Sequence, residues 1–240
     1  MALSFCALLW FLAACGTSSA ATCPPEKFDS VADFSLAAYI AAPWYVQKQV
    51  PVSYQKAEDL NCVRAVYKPV DSTNLKAGLT VFNYANRGAV NGPVDGTSQA
   101  QPNQTQLLAV PDPDASGPTA ASKLLVGPAF LKTLLAAGAW KAAFGPYWVV
   151  AVGPSANKTI AYDWAIITGG APTTPTENGK CRTGRPGNQA QQYFGGFWLF
   201  SRKPVDPAAT AIMEAKALEL GLDTAQLLAV KQEGCTYLGA

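Results

Sequence analysis

Asn61-Cys62-Val63-Arg64-Ala65-Val66-Tyr67 decides the fold. Side chains alternate between the two faces of a strand, so if Cys62 points outward, Val63, Ala65 and Tyr67 share the opposite face. Arg64 and Val66 then lie on the Cys62 side. Three further blocks resemble it in bulk and aromatic content: Pro43-Trp44-Tyr45-Val46, Pro146-Tyr147-Trp148-Val149-Val150 and Trp198-Leu199-Phe200-Ser201-Arg202. Between them, segments rich in Val, Ile, Tyr and Trp recur among clusters of Gly, Pro, Asn and Asp, the pattern of an antiparallel barrel. The strands expected are 43–51, 61–70, 78–84, 92–100, 123–130, 146–153, 159–168 and 194–202. Eight strands close a barrel just wide enough for one small ligand.

The rest of the chain is consistent with one such domain. At 240 residues it can bury one sizeable core and is short for two. After Pro207, Ala208 to Leu220 is rich in Ala and Leu, places Ile212, Ala215, Lys216 and Glu219 at helical spacing and stops at Gly221, which predicts a helix.

Charge and composition exclude whole classes of function. The formal net charge is +2 and no basic run stands out, so a nucleic-acid partner is not expected. The chain has no histidine, which removes Ser-His-Asp and Cys-His catalysis and His-based zinc sites. Asp95 and Asp163 are carboxylates on or near strands, but single carboxylates more often cap turns or face water. Neither a metal nor a cofactor is expected, and no two of Cys23, Cys62, Cys181 and Cys235 lie in a CxxC spacing.

Residues 1–21 carry an apolar run, Ala7 to Ala14, followed by Ser18-Ser19-Ala20-Ala21, the shape of a secretory signal with cleavage near Ala20 or Ala21. This leaves 22–240 as the mature domain. A rival reading takes Leu12-Ala13-Ala14-Cys15 as similar to a bacterial lipobox, with Cys15 lipidated and retained as a membrane anchor. The sequons at Asn103 and Asn157 favour the eukaryotic, secreted reading. The mature chain then has four cysteines in an oxidising compartment, so two disulfides are expected, and spacing leaves three connectivities open.

Taken in order from Cys23 to Cys235, the quoted blocks and the cysteines around them resemble a lipocalin, closest to the apolipoprotein D type. The resemblance implies an all-β, eight-stranded up-and-down calyx, with the helix packed outside. It pairs Cys23 with Cys181 and Cys62 with Cys235. It puts Trp44 at the closed base with Arg202 across it, a structural pair. The family's Gly-x-Trp is departed from at Ala42-Pro43, and its Thr-Asp-Tyr is replaced by Val152-Gly153-Pro154-Ser155. A likeness to family sequences that read Val-Leu-Asn selects Val81 and Asn83 as inward on the third strand. Parity then adds Tyr147, Val149 and Ala151, with Gly196, Trp198 and Phe200.

The implied pocket comprises Ala65, Tyr67, Val81, Asn83, Tyr147, Val149 and Trp198, which suits a sterol, retinoid, carotenoid or fatty acyl ligand with one polar end. The implied mouth loops are 131–145 and the long Gly169–Gln192 connection. The first is apolar for a surface loop: a lid or membrane contact is one reading, extra core over the rim the other. Asn103 and Asn157 are expected at or near the closed end. Lipocalin-like enzymes of the prostaglandin isomerase or de-epoxidase type are the alternative. The first needs an unpaired barrel cysteine and the second an added Cys-rich domain and acidic tail, so a secreted, non-enzymatic carrier is preferred.

Overall fold

Seven strands follow one another along the chain, each hydrogen-bonded to the next over most of the wall: β1 (Trp44–Gln49), β2 (Asn61–Pro69), β3 (Leu79–Asn86), β4 (Leu107–Pro111), β5 (Lys123–Pro128), β6 (Gly145–Pro154) and β7 (Tyr162–Thr168). This computed structural model describes residues 22–184 and 195–239. A two-residue hairpin, β8 (Thr174–Pro175) with β9 (Cys181–Arg182), precedes β10 (Phe197–Ser201), which pairs antiparallel with both β7 and β1 and so closes an eight-stranded barrel. The expected signal, its cleavage site and Cys15 lie outside the described residues, as does part of the connection before β10.

The fourth strand corrects the sequence reading. Residues 92–100 are turns and bends with one isolated bridge, Val94 to Asn86, and β4 is Leu107–Pro111. Gly92, Pro93 and Gly96 break the ladder, and short polar side chains take over the backbone: the Asp95 carboxylate accepts from the Thr97 amide at 2.8 Å, and the Ser98 hydroxyl donates to the Asn83 carbonyl at 2.9 Å. Leu107-Leu108-Ala109-Val110 has the apolar bulk that the earlier stretch lacks, and Leu108, Ala109 and Val110 are buried.

Parity on β2 and β3 is as expected, whereas β6 corrects it. Its register slips between Val149 and Ala151, and this β-bulge turns everything beyond it over. Val149 packs inside the barrel. Val150 and Ala151 both pack outside, and Val152 returns to the interior cluster.

The helix α3 (Pro207–Glu219) lies against that outer surface. Asp206 caps it by accepting from the Ala209 amide at 3.2 Å, and Gly221, at φ 78°, ends it. Its buried stripe is Ala209, Met213 and Ala217, at i, i+4 and i+8. Ile212 is 54% exposed.

One seam of the barrel is made by the chain's end. The strands β1 and β2 pair only at Trp44–Ala65 and Tyr45–Arg64. Beyond that point the C-terminal tail runs between them, led by β11 (Leu228–Ala229), which pairs with β1. The Val230 amide donates to the Gln47 carbonyl at 2.9 Å and the Cys62 amide to the Lys231 carbonyl at 2.8 Å. The buried Gln232 amide group donates across the gap to the carbonyls of Val46, at 2.8 Å, and Val63, at 2.6 Å. Cys62–Cys235 fastens this tail, and Cys23–Cys181 ties the N-terminal arm beside the α3 terminus, the two pairings the resemblance implied.

Replacing Cys62 and Cys235 together by Ser is expected to cost about 2–5 kcal/mol, read from the urea denaturation midpoint. Amide exchange at Lys231 and Gln232 is expected to quicken with it. An unchanged midpoint would show that the tail closes the seam without its disulfide.

Candidate functional site

The floor of the barrel is an aromatic-lined seal. Trp44 is fully buried, and its indole N–H donates to the Tyr39 carbonyl at 2.9 Å. The Arg202 guanidinium carbon lies 3.4 Å from the Trp44 ring centroid, a cation on an aromatic face. Its nitrogens donate to five backbone carbonyls: Tyr162 at 3.2 Å, Pro43 at 3.2 Å, Ala38 at 3.2 Å, Tyr39 at 2.9 Å and Ala42. The departure from Gly-x-Trp is thereby explained, since Ala42 and Pro43 contribute carbonyls and their side chains are not needed. Burial lowers the Arg202 pKa to about 10, against the pull of Tyr39 and Asp163.

The short helix α1 (Leu36–Tyr39), capped by Ser35, lies under this floor. It positions Tyr39, which is 1% exposed and packs its ring 5.0 Å from Trp44 and 5.9 Å from Tyr67. The Tyr39 and Tyr147 hydroxyls are 2.6 Å apart, and those of Tyr147 and Tyr67 2.9 Å, so three phenols from α1, β6 and β2 meet in one row. Burial raises all three pKa values well above the ordinary phenol range and keeps the row neutral.

Above the row the barrel holds a cavity of ≈ 480 Å³, within the usual size of a small-molecule site. Ala65, Tyr67, Val81, Asn83, Tyr147 and Trp198 all line it. Val149 does not: it is fully buried in the core beneath, beside Ala165 and Ile167. The outer edge of the Trp198 ring sits against Gly196, where a Cβ would come within 1.6 Å of it, so the ring's pose depends on that glycine.

Toward the mouth the lining becomes polar and neutral, with Gln55, Asn83, Ser98, Gln99 and Gln104. The Gln99 side-chain oxygen accepts from the Asn83 backbone N–H at 2.7 Å, which clamps the turn region 92–100 onto β3. Arg64 is the single charged residue on the lining among the described residues, and its guanidinium points away. It donates to the Gly239 carbonyl at 2.6 Å and lies 5.1 Å from the Tyr237 ring centroid.

One expectation about the rim changes with β4. Asn103 is exposed in the β3–β4 connection beside Gln104 and Thr105 of the lining, so it is at the mouth and not the closed end. Asn157 is exposed in the β6–β7 turn, as expected. In the 131–145 region, α2 (Ala129–Leu134) leaves Phe130 on the cavity rim, 54% exposed, and Leu134 72% exposed. Leu131 and Trp140 instead pack on Leu108, Val110 and Phe144, so part of the segment is satellite core.

Tyr39 and Gln99 were absent from the sequence reading. Tyr39 belongs to a stretch with no strand pattern, and Gln99 to the stretch misread as a strand; only the folded connections bring them to the cavity.

No protein-family model matches the chain, and no curated protein sequence matches it. Among solved structures it is similar to insecticyanin from the tobacco hornworm Manduca sexta, at 16% identity and a TM-score of 0.52, over 91% of this chain and 92% of that one. The tryptamine complex of the amine-binding protein of Rhodnius prolixus aligns over 92% of this chain and 91% of its own, at 12% identity and a TM-score of 0.48. Lobster apocrustacyanin A1 aligns over 83% and 81%, at 14% identity and 0.48. The likeness is one of fold: the chain has the lipocalin barrel with its external helix.

Trp44→Ala is expected to cost about 3–5 kcal/mol of stability in thermal or urea unfolding. Arg202→Met should also destabilise, because five carbonyls lose their donor. Alkaline pH should destabilise too. With folded-state pKa values above the unfolded phenol value of about 10, stability is complete below pH 10 and falls above it by about 1.4 kcal/mol per pH unit for each buried tyrosine. The lowered Arg202 value runs the other way, one group against three. Urea midpoints across pH 8 to 11.5 check this, and Tyr39→Phe should flatten the slope.

Proposed function

We propose that the chain is a carrier that takes up one small lipophile, non-covalently, in the barrel cavity. One observation carries this reading: a closed barrel with a sealed floor encloses ≈ 480 Å³ lined by Ala65, Tyr67, Val81, Tyr147 and Trp198, with neutral polar groups at the rim. Apolar walls supply contact, and a few polar groups set orientation. Sterols, retinoids, carotenoids and fatty acyl chains are the ligand classes in scope. Among the described residues the lining contains no Asp, Glu or Cys, which supports carriage over catalysis.

The disulfide pairing supports the finer reading as an apolipoprotein D-like lipocalin and is consistent with a secreted protein. In this reading residues 1–21 act as the secretory signal and 22–240 as the single mature domain. Glycans on the exposed Asn103 and Asn157 complete it, the first beside the entrance.

Titration with a long apolar ligand should quench the intrinsic tryptophan fluorescence saturably. Trp198→Phe should remove most of that quenching while the fold stays nearly intact, since an apolar ring remains. Unchanged quenching in this variant would move the ligand elsewhere, to the α2 surface around Trp140. No saturable binding by any of the four classes would contradict a carrier.

A further inference from the structure

The phenol row defines the buried end of the cavity, and a proton count shows what that end can recognise. Three hydroxyls carry three protons. The row contains two hydrogen bonds, Tyr39 to Tyr147 and Tyr147 to Tyr67, so in every arrangement one O–H is left to donate. Among the described residues the Tyr39 hydroxyl has Tyr147 as its single hydrogen-bond partner, and Tyr39 is not on the cavity lining. An unused donor there would be buried and unpaired, the costly arrangement. The remaining two arrangements leave the spare O–H on Tyr67 or Tyr147, both of which line the cavity.

Charge around this end narrows the partner. Among the described residues the lining carries no carboxylate to receive an ammonium. Among the described residues it turns no cation toward an ionised carboxylate: Arg64 donates through Nη2 to the tail carbonyls of Leu238 and Gly239, its buried Nε having no partner, and Arg202 donates to the floor carbonyls. Burying an ion without a partner is strongly unfavourable. The group that fits is a neutral oxygen that accepts one hydrogen bond.

We propose that Tyr67 and Tyr147, held in place by Tyr39, form a subsite that donates one hydrogen bond to the carbonyl oxygen at the leading end of a neutral lipophile. The proposal rests on the carrier reading above and names its ligand class: an apolar ketone, aldehyde or ester that enters carbonyl first. The polar collar of Gln55, Gln99 and Gln104 is left to meet water or the trailing end.

Retinal, retinoate and their parent hydrocarbon share one skeleton and differ at one end, so fluorescence titration with the three, at neutral pH, isolates this subsite. Retinal should bind about five- to tenfold tighter than the hydrocarbon, the effect of one buried hydrogen bond. Retinoate should bind no better than the hydrocarbon. Tyr67→Phe alone should keep the preference, because two hydroxyls with one bond between them still leave a spare proton. Tyr67→Phe with Tyr147→Phe should reduce it to within about twofold, while hydrocarbon binding reports that the cavity is still formed.

The infrared carbonyl stretch of retinal bound to the unaltered protein gives a second readout that needs no variant. It should lie below its position in an apolar solvent, and an unshifted band would overturn the proposal. Equal binding of all three ligands, a preference for retinoate, or a preference for retinal that survives the double variant would overturn it and leave the carrier reading standing. Absence of saturable binding by all three would overturn the proposal, and it would overturn the carrier reading as well only if sterols, carotenoids and fatty acyl chains also failed to bind.

Discussion

Arg202 on the face of Trp44 is the contact on which the rest of the barrel depends. A half-buried guanidinium would ordinarily be paired with a carboxylate. Among the described residues no carboxylate contacts it, and its charge is met by five peptide carbonyls and an aromatic face. Four of those carbonyls come from residues 38–43 and one from Tyr162, so a single side chain from the end of β10 ties together the start of β1, the start of β7 and the helix beneath the floor. The helix in turn delivers Tyr39 to Tyr147, and that contact orients the phenols at the bottom of the cavity. Floor, row and pocket form one chain of dependence.

The walls face a different problem, that of leaving space inside without leaving an edge outside. The β1–β2 gap is filled by the C-terminal tail, whose Gln232 satisfies carbonyls on both strands that would otherwise be exposed in the seam. On the far side the β6 bulge turns Val150 and Ala151 out against α3, and Val149 and Val152 in. The outer face thereby gains a hydrophobic contact for the helix. The interior keeps small residues such as Ala65 where the cavity needs room.

What was legible in the sequence follows from how local each signal is. The parity of β2 and β3, the helix boundaries and the pairing around Trp44 and Arg202 depend on neighbours two to four residues apart or on the family pattern, and the structure has them as expected. The β4 error arose in a stretch, 92–100, whose Asp95 and Gly96 turn chemistry is local, while its attachment to β3 through Ser98 and Gln99 is not. The placement of Asn103 failed with it, since moving one strand reverses which end of the barrel a connection occupies. A bulge such as that at Val150 has no composition of its own, so Ala151 was misfaced. Tyr39 had no signal at all: its role exists only because Arg202 folds its segment under the floor.

The most direct test of the central claim is a crystal structure of the protein with a bound lipophile. The predicted result is one ligand per chain inside the barrel, with its buried end at the Tyr67 and Tyr147 hydroxyls, its body against Trp198 and its other end under Gln99. Side chains collapsed into the cavity, or ligand density confined to the outer surface at Phe130 and Leu134, would contradict it.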